Sequence, residues 1–173
     1  MTASKHRRRA RRAHILAAVG LAQVLVTLDY FALSMALPEM ADDLGVSTTD
    51  LQWAMTGYLL SFAALMVAGG RIGDILGRKR TVLIGIAVFG GASLLCGLAY
   101  DEYMLVACRV LQGIGAAILF PTSMGVVGSS FDDETRPRAI GIVVLVSMVG
   151  TALGPLVGGV LTDVLDWRWV FLV

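Results

Sequence analysis

Charged residues are scarce in this sequence. They make up 16% of its 173 residues, whereas 57% are hydrophobic. A soluble domain of this length usually has about 25% charged and 45–50% apolar residues. So little charge cannot cover a water-soluble surface, and the net charge of +1 gives no indication of a nucleic-acid partner.

Cysteine and histidine are also rare, with two of each. Cys96 and Cys108 both lie within apolar runs, where we expect small packing residues and neither a disulfide framework nor a metal site. The sequence shows no metal-spaced set of His, Cys and Glu and no nucleophile beside a base. It therefore predicts neither an enzyme nor a bound cofactor or metal.

Long apolar runs are what the sequence has instead. A helix needs about 20 residues to cross a bilayer, and five runs are long enough: residues 14–37, 51–70, 81–100, 103–128 and 139–163, with a sixth beginning at Trp167. Because lipid offers the backbone no hydrogen-bond partners, these runs are predicted to be helices. The expected fold class is an all-α membrane protein embedded in the lipid bilayer.

The first run has a second interpretation, because the basic segment KHRRRARR precedes it as it would precede a secretory signal. The length of the run, Asp29 within it and four further spans after it favour a membrane helix.

Lys and Arg follow a clear pattern along the chain. They are frequent in the N-terminal residues 1–13 and in the connections between runs 2 and 3 and between runs 4 and 5. The connections between runs 1 and 2 and between runs 3 and 4 carry acidic residues and no base. The positive-inside rule therefore predicts a basic cytoplasmic tail over residues 1–13 and a multi-pass protein of the cell membrane. Arg168, near the start of the sixth run, is the exception.

The connection between runs 2 and 3 reads GRIGDILGRKR and covers residues 70–80. A short basic turn that fixes topology explains its charge. It does not explain Asp74, for which we expect hydrogen bonds at a helix N-terminus, or the glycine spacing. The stretch lacks the G-K-[ST] ending of a phosphate-binding loop, so a nucleotide site is not predicted.

This stretch resembles the signature loop of the major facilitator superfamily, G-x-x-x-D-x-x-G-R-[KR]. Three further patterns of that family follow on the predicted spans, and the first- and fifth-helix patterns are similar to those of its fourteen-helix drug:proton antiporter branch. The residues that carry the four patterns are Gly70, Asp74, Gly77, Arg78 and Lys79 in the loop; Leu28, Asp29, Ala36, Leu37 and Pro38 in the first run; Arg109, Gln112, Gly113, Gly115, Ala116 and Ala117 in the fourth; and Gly150, Gly154, Pro155, Gly158 and Gly159 in the fifth. Tyr30–Ser34 departs from the usual first-helix pattern.

The resemblance implies a secondary transporter in which residues 14–173 are an incomplete N-terminal half of six helices. It further implies a cytoplasmic latch at the signature loop, for which we expect Arg78 to pair with Asp132, Asp133 or Glu134. The fifth-helix glycines are implied to lie where two halves of the fold move against each other. Tight packing alone would also explain them.

Asp29 and Arg109 are the only charged residues well inside the five complete runs. Counting about 1.5 Å per residue, both lie roughly 9–14 Å from the outer ends of their helices, so an Asp29–Arg109 pair is predicted. Charge at such depth usually faces a cavity or a partner. The pair therefore has two interpretations, proton coupling, which the resemblance also implies, or a static ion pair that orients two helices.

The first run also carries a polar stripe. Gln23, Thr27, Tyr30 and Ser34 share one helical face, about 120° from Asp29. This stripe either lines a cavity or forms hydrogen bonds between helices.

The sequence thus favours the N-terminal part of a proton-coupled exporter of drugs or other small organic molecules that works by alternating access. Its expected partners are protons, the organic substrate, the lipid bilayer and the missing C-terminal part of the transporter. The alternative is a truncated membrane protein or remnant that does not transport and at most associates with another transporter half.

Overall fold

The computed structural model describes the backbone of residues 2–172 and the side chains of residues 10–172. All regular structure in this part of the chain is helical: α1 Thr2–Leu44, α2 Thr48–Leu76, α3 Arg78–Gly97, α4 Glu102–Ser130, α5 Arg136–Val164 and α6 Trp169–Leu172. The first five are long and apolar enough to cross a membrane. They coincide with the five predicted spans in order, except that α3 ends at Gly97, three residues before the predicted end of the third span. This order confirms the expected fold class.

Four of the five helices extend beyond both ends of the apolar runs that predict them. α1 already begins at Thr2, so the backbone of residues 2–13 is helical and continuous with the first span. Ala, Arg and Lys are strong helix formers in water. Hydropathy therefore identifies only the part of such a helix that lies in lipid. Helix propensity extends the helix beyond that part.

Most of the signature stretch, residues 70–80, is helical, although its composition predicts a turn. Gly70 to Leu76 belong to α2, and Gly77 alone separates α2 from α3. Gly77 has φ +89° and ψ 131°, a backbone conformation that only glycine adopts without strain. One residue is therefore enough to reverse the chain between two antiparallel membrane helices.

Three close helix pairs build the bundle: α1 with α5, α2 with α4, and α3 with α4. Glycines of α5 allow the close contact between α1 and α5. A Cβ atom at Gly150 would lie 3.0 Å from the Val24 carbonyl oxygen, and one at Gly154 would lie 2.6 Å from the Phe31 Cβ. Small residues let helix backbones approach and gain dispersion contacts in lipid. α1 is thus held firmly, and Asp29 with it.

Contacts at the end of the bundle where α1 meets α6 explain the exceptional Arg168. Its NH1 lies 3.0 Å from Asp43 Oδ2 and 3.4 Å from Asp166 Oδ2, and its guanidinium lies 4.2 Å above the Trp167 ring. Trp167 is fully buried and donates from Nε1 to Asp43 Oδ2 at 3.0 Å. The charge that departs from the positive-inside pattern is therefore neutralised locally, and this cluster fastens the start of α6 to the end of α1.

Candidate functional site

The predicted pairing of Asp29 with Arg109 is present at the centre of the bundle. Arg109 NH1 donates to Asp29 Oδ2 at 2.6 Å. The exposed fraction is 0% for Arg109 and 6% for Asp29. The pair joins α1 to α4, and its matching depth follows from the antiparallel course of the two helices.

Gln112 completes the site. It lies one helical turn after Arg109, on the same face of α4, and is fully buried. Its Nε2 donates to Asp29 Oδ1 at 2.8 Å, and its Oε1 accepts from Arg109 NH1 at 2.7 Å. The three side chains form a closed triangle in which each carboxylate oxygen has its own donor.

Two aromatic rings enclose the Arg109 guanidinium. Its central carbon lies 4.3 Å from the centroid of Tyr58 on α2 and 5.8 Å from that of Phe171 on α6. Stacking on aromatic faces stabilises a desolvated guanidinium. The other two nitrogens of the group, Nε and NH2, are buried without a hydrogen-bond partner among the described residues. The site therefore keeps donor capacity that the protein itself does not use.

A cavity of about 330 Å³ lies beside Asp29. Its wall comes from α1, α3, α4 and α6 and includes Leu25, Asp29, Ser93, Leu119 and Phe171. Asp29 is its only charged lining residue. The carboxylate thus has an open side, which a purely static ion pair does not require.

The polar stripe of α1 does not contribute to this cavity, since none of its residues is in the wall. Gln23 donates to Ser123 Oγ at 2.8 Å and to the Phe120 carbonyl at 3.1 Å, which ties α1 to α4. Thr27 donates to the Ser147 carbonyl of α5 at 3.2 Å. These two residues have the helix–helix role, one of the two that the sequence leaves open.

The other two stripe residues differ, since Tyr30 contacts α2 and Ser34 bonds only its own helix. Tyr30 stacks on Tyr58 with ring centroids 5.9 Å apart, and Ser34 donates to the Phe31 carbonyl of its own helix at 2.7 Å.

The prediction that Arg78 pairs with Asp132, Asp133 or Glu134 is wrong. Its NH1 donates to the Gly125 carbonyl of α4, and its NH2 lies 3.6 Å from Asp74. Asp133 pairs with Arg136 at 2.8 Å and Asp132 with Arg12 at 2.6 Å. Arg78 thus reaches α4 through a backbone carbonyl and not through an acid of the α4–α5 connection.

The prediction that Asp74 accepts hydrogen bonds at a helix N-terminus is also wrong. The residue lies in the last turn of α2 and not at a helix N-terminus, and its side chain is 67% exposed. Lys79, the next basic residue after Arg78, lines a second cavity of about 390 Å³ between α1, α3 and α4.

The small residues of the α4 and α5 patterns are used for packing inside the bundle. A Cβ atom at Gly115 would lie 2.5 Å from the Phe89 nitrogen of α3, and one at Gly113 would collide with Tyr58 of α2. Gly150, Gly154 and Gly158 face α1, whereas Gly159 has nothing within 4 Å of a Cβ position. Most of the α5 pattern is therefore already occupied by α1.

The sequence did not indicate Tyr58, Ser93 and Phe171 as members of the site. Ser93 donates to the Phe171 carbonyl at 2.7 Å and accepts from Gln112 Nε2 at 3.2 Å. One signal was available, since Ser93 is the only hydroxyl residue in the apolar stretch of residues 82–97. Within residues 10–172 no group of three or more His, Cys, Asp or Glu side chains could hold a metal ion.

Relatives of known sequence match most of this chain but only part of their own length. The chain is 41% identical over 157 residues to "Uncharacterized MFS-type transporter EfpA" of Mycobacterium tuberculosis and 44% identical over 153 residues to the puromycin resistance protein pur8 of Streptomyces alboniger. It is 36% identical over 160 residues to the methylenomycin A resistance protein of Bacillus subtilis. These matches cover 88–92% of this chain but only 29–34% of the relatives.

A solved structure has the same fold. It is a bacterial homologue of the human lysosomal transporter Spinster in an inward-facing, unoccupied conformation, and it superposes with a TM-score of 0.78 at 22% identity. The match covers 92% of this chain and 36% of the other. The profile of the Major Facilitator Superfamily matches residues 19–173. The chain is thus a multi-pass membrane protein and belongs to the Major Facilitator Superfamily.

Proposed function

We propose that this chain forms the N-terminal membrane part of a secondary transporter that exports drugs or other small organic molecules in exchange for protons. The observation that carries the proposal is the buried Asp29–Arg109 pair at the wall of a cavity. The resistance and export proteins among the relatives support the class of substrate.

Asp29 is the group proposed to carry the proton. A carboxylate in a membrane interior is stabilised by a cation and by donors, and protonation removes the need for both. Arg109 remains charged throughout and holds Asp29 in place. When a proton enters from one side, the attraction between α1 and α4 weakens, and the two helices become free to rearrange.

The orientation proposed for the chain places its N-terminus in the cytoplasm. Arg12, Arg78 and Arg136 then all lie at the inner end of the bundle, together with Lys79. We propose that Gly70, Asp74, Gly77, Arg78 and Lys79 form the cytoplasmic latch. Its structural support is the Arg78 contact with the Gly125 carbonyl, which ties the α2–α3 reversal to α4.

We further propose that residues 14–173 belong to a six-helix half that works with further helices. Both cavities are lined by α1, α3 and α4, and Ile86 is in the wall of each. Since the relatives are about three times as long as the matched part, we propose that a helix of the remaining transporter covers them. The substrate site then lies between the two halves.

The test is uptake of puromycin, taken from a relative's name, into inverted membrane vesicles that contain the whole transporter, in which export is measured as uptake. Asp29→Asn is expected to abolish efflux driven by a pH gradient while membrane insertion is unchanged. The matched control is Asp42→Asn, which removes an exposed carboxylate from the outer end of the same helix.

Undiminished pH-driven efflux in Asp29→Asn would reject Asp29 as the coupling group. Absence of efflux of any resistance substrate by the unmodified protein would favour the non-transporting alternative.

A further inference from the structure

Five aromatic side chains form a continuous row through the middle of the bundle. In spatial order they are Phe31, Tyr30, Tyr58, Phe62 and Phe120. The rings of Tyr30, Tyr58 and Phe62 are nearly parallel, with neighbouring planes 26° apart and centroids separated by 5.9 Å and 6.2 Å. The two end rings meet the row edge to face, at 5.2 Å and 5.6 Å. All five rings belong to α1, α2 and α4, so the row does not depend on the short α6.

The bundle covers this aromatic row only in part. Tyr58 is fully buried, whereas Tyr30, Phe62 and Phe120 are half-buried. The Tyr30 hydroxyl makes no hydrogen bond within residues 10–172, although a tyrosine that packs only as core usually has a partner for this group. Ring surface on α1, α2 and α4 therefore remains available to a molecule that the bundle does not contain.

The accessible side of the row faces away from the cavities that α1 lines. Leu25 is in the wall of the cavity beside Asp29. At 100° per residue, Thr27, Tyr30 and Ser34 lie about 140–180° around the helix from Leu25. Tyr30 also follows Asp29 directly and so lies at nearly the same depth in the membrane. Secondary transporters bind their substrates near this depth, between the two halves of the molecule.

Contact with lipid does not explain aromatic rings at this depth. Most of the large apolar side chains that the bundle exposes along its helices are Leu, Ile, Val and Met. Exposed aromatic side chains lie at or near helix ends, where Trp and Tyr are enriched at membrane surfaces. They are Trp53, Tyr100, Tyr103 and Trp169. The half-buried rings of the row are well inside their spans and therefore indicate a partner that is itself aromatic.

We propose that Tyr30 and Phe62 bind the exported molecule through planar aromatic rings, which stack on the accessible parts of their own rings. The inference rests on the proposed function and deepens it by naming ring-bearing molecules as the substrate class. Offset-stacked and edge-to-face contacts between rings stabilise a complex beyond the apolar area that they bury. An aromatic ligand therefore binds here more tightly than a saturated one of the same size.

The aromatic row also reaches the proposed proton site. The Arg109 guanidinium carbon lies 4.3 Å from the centroid of Tyr58, and Tyr58 contacts both Tyr30 and Phe62. A ring bound on Tyr30 or Phe62 is thus connected to the Asp29–Arg109 pair through one side chain. This arrangement places the exported molecule and the exchanged proton beside each other in the same half of the transporter.

Binding of puromycin to the whole transporter in lipid nanodiscs, without a pH gradient, tests the inference. Puromycin carries a methoxyphenyl ring and a purine. Tyr30→Leu and Phe62→Leu keep apolar side chains but remove a ring, and we expect each to weaken binding about three- to tenfold, as for the loss of one aromatic pair. Tyr30→Phe keeps the ring and should lose less affinity than Tyr30→Leu.

A matched control is Tyr100→Leu, which removes an exposed tyrosine ring from the α3–α4 connection. It should bind puromycin as the unmodified transporter does. A loss of affinity in Tyr100→Leu equal to that in Tyr30→Leu would show that the row has no special role and would overturn the inference.

Fluorine NMR of the transporter labelled with 3-fluorotyrosine detects the contact directly. The Tyr30 resonance is the one lost in Tyr30→Phe, and that of Tyr100 is the one lost in Tyr100→Leu. The ring current of a stacked ligand should shift the Tyr30 resonance when puromycin is added and leave that of Tyr100 in place. A change of stability in a Leu variant cannot produce this shift, because it is measured in the unmodified transporter.

The outcomes separate this inference from the proposed function. Unchanged affinity in both Leu variants, an unshifted Tyr30 resonance, or no binding of puromycin overturns the inference, even if Asp29→Asn abolishes pH-driven uptake of another resistance substrate. Weaker binding in the Leu variants together with a shifted Tyr30 resonance supports the inference, even if vesicles show no pH-driven uptake. That last result would overturn the proposed function alone.

Discussion

Arg109 shows how much one buried residue depends on its neighbours. It has no exposure, one carboxylate partner, one amide partner and a stacked Tyr58 ring. The cost of desolvating a guanidinium is recovered only when such contacts are all made. Substitutions at this residue should therefore separate the effect of charge from that of shape.

Arg109→Leu removes the charge and leaves Asp29 buried without a cation. We expect the free energy of unfolding to fall by about 3–5 kcal/mol. The double variant Asp29→Asn/Arg109→Leu should lose less, because no uncompensated charge remains. The measurement is reversible unfolding in mixed micelles. A double variant as unstable as the sum of both single variants would contradict the importance of the pair.

Arg109→Lys keeps the charge and loses the planar guanidinium that lies over the Tyr58 ring. A single ammonium cannot stack on Tyr58 while it holds Asp29 and Gln112 in the same geometry. Loss of one charge-assisted hydrogen bond corresponds to about a tenfold or greater decrease in proton-driven efflux. Arg138→Lys, at an exposed position in the first turn of α5, is the control and should be neutral. Full activity of Arg109→Lys would exclude a need for the planar guanidinium.

At the scale of helices, adjacent glycines of the α5 pattern differ in whether they contact another helix. Gly158 and Gly159 are adjacent, yet only the first faces α1. Gly158→Ala would force the new methyl group against the Ala32 carbonyl, and we expect a loss of about 1–3 kcal/mol. Gly159→Ala, in open space, should be neutral or slightly stabilising. Thermal unfolding of both variants measures the difference, and equal behaviour would disprove the close α1–α5 contact.

The reversal of the chain at Gly77 gives a second prediction at the scale of helices. Its positive φ of 89° is costly for any residue with a Cβ, so Gly77→Ala should destabilise by about 1–3 kcal/mol. Gly90→Ala lies in the middle of α3 with nothing within 4 Å of the Cβ position and should not. If thermal unfolding shows both variants equally stable, the backbone conformation at Gly77 is not a constraint.

At the scale of the whole molecule, the proposed topology has a direct test. Cys96 and Cys108 are buried, so a membrane-impermeant maleimide reports on an introduced cysteine. Thr49→Cys lies in an exposed position near the start of α2, and Glu134→Cys lies in the exposed α4–α5 connection. We expect labelling of Thr49→Cys from outside intact cells and of Glu134→Cys only after the membrane is opened. The reverse result would invert the orientation.

Sequence reasoning predicts the parts of this molecule that are governed by the bilayer. The five spans and the depth of Asp29 and Arg109 follow from hydropathy and from helix rise. The α4 partners of Ser93 and Arg78 do not, because they depend on the register of α3 against α4. That register is set by contacts such as Gly115 on Phe89, which no local pattern in α3 specifies. For the same reason the sequence did not predict that α1 occupies the α5 glycines.

The separation of Asp29 and Arg109 along the chain also matters while the protein is being made. The two residues lie 80 positions apart, which takes about 4–16 s of synthesis. α1 therefore enters the insertion machinery before its countercharge exists, and an isolated Asp costs about 2.5–3.5 kcal/mol at the centre of a membrane helix. The long apolar sequence of α1 offsets that cost. The ion pair thus completes the bundle only after both helices are in the membrane and has no part in inserting the first one.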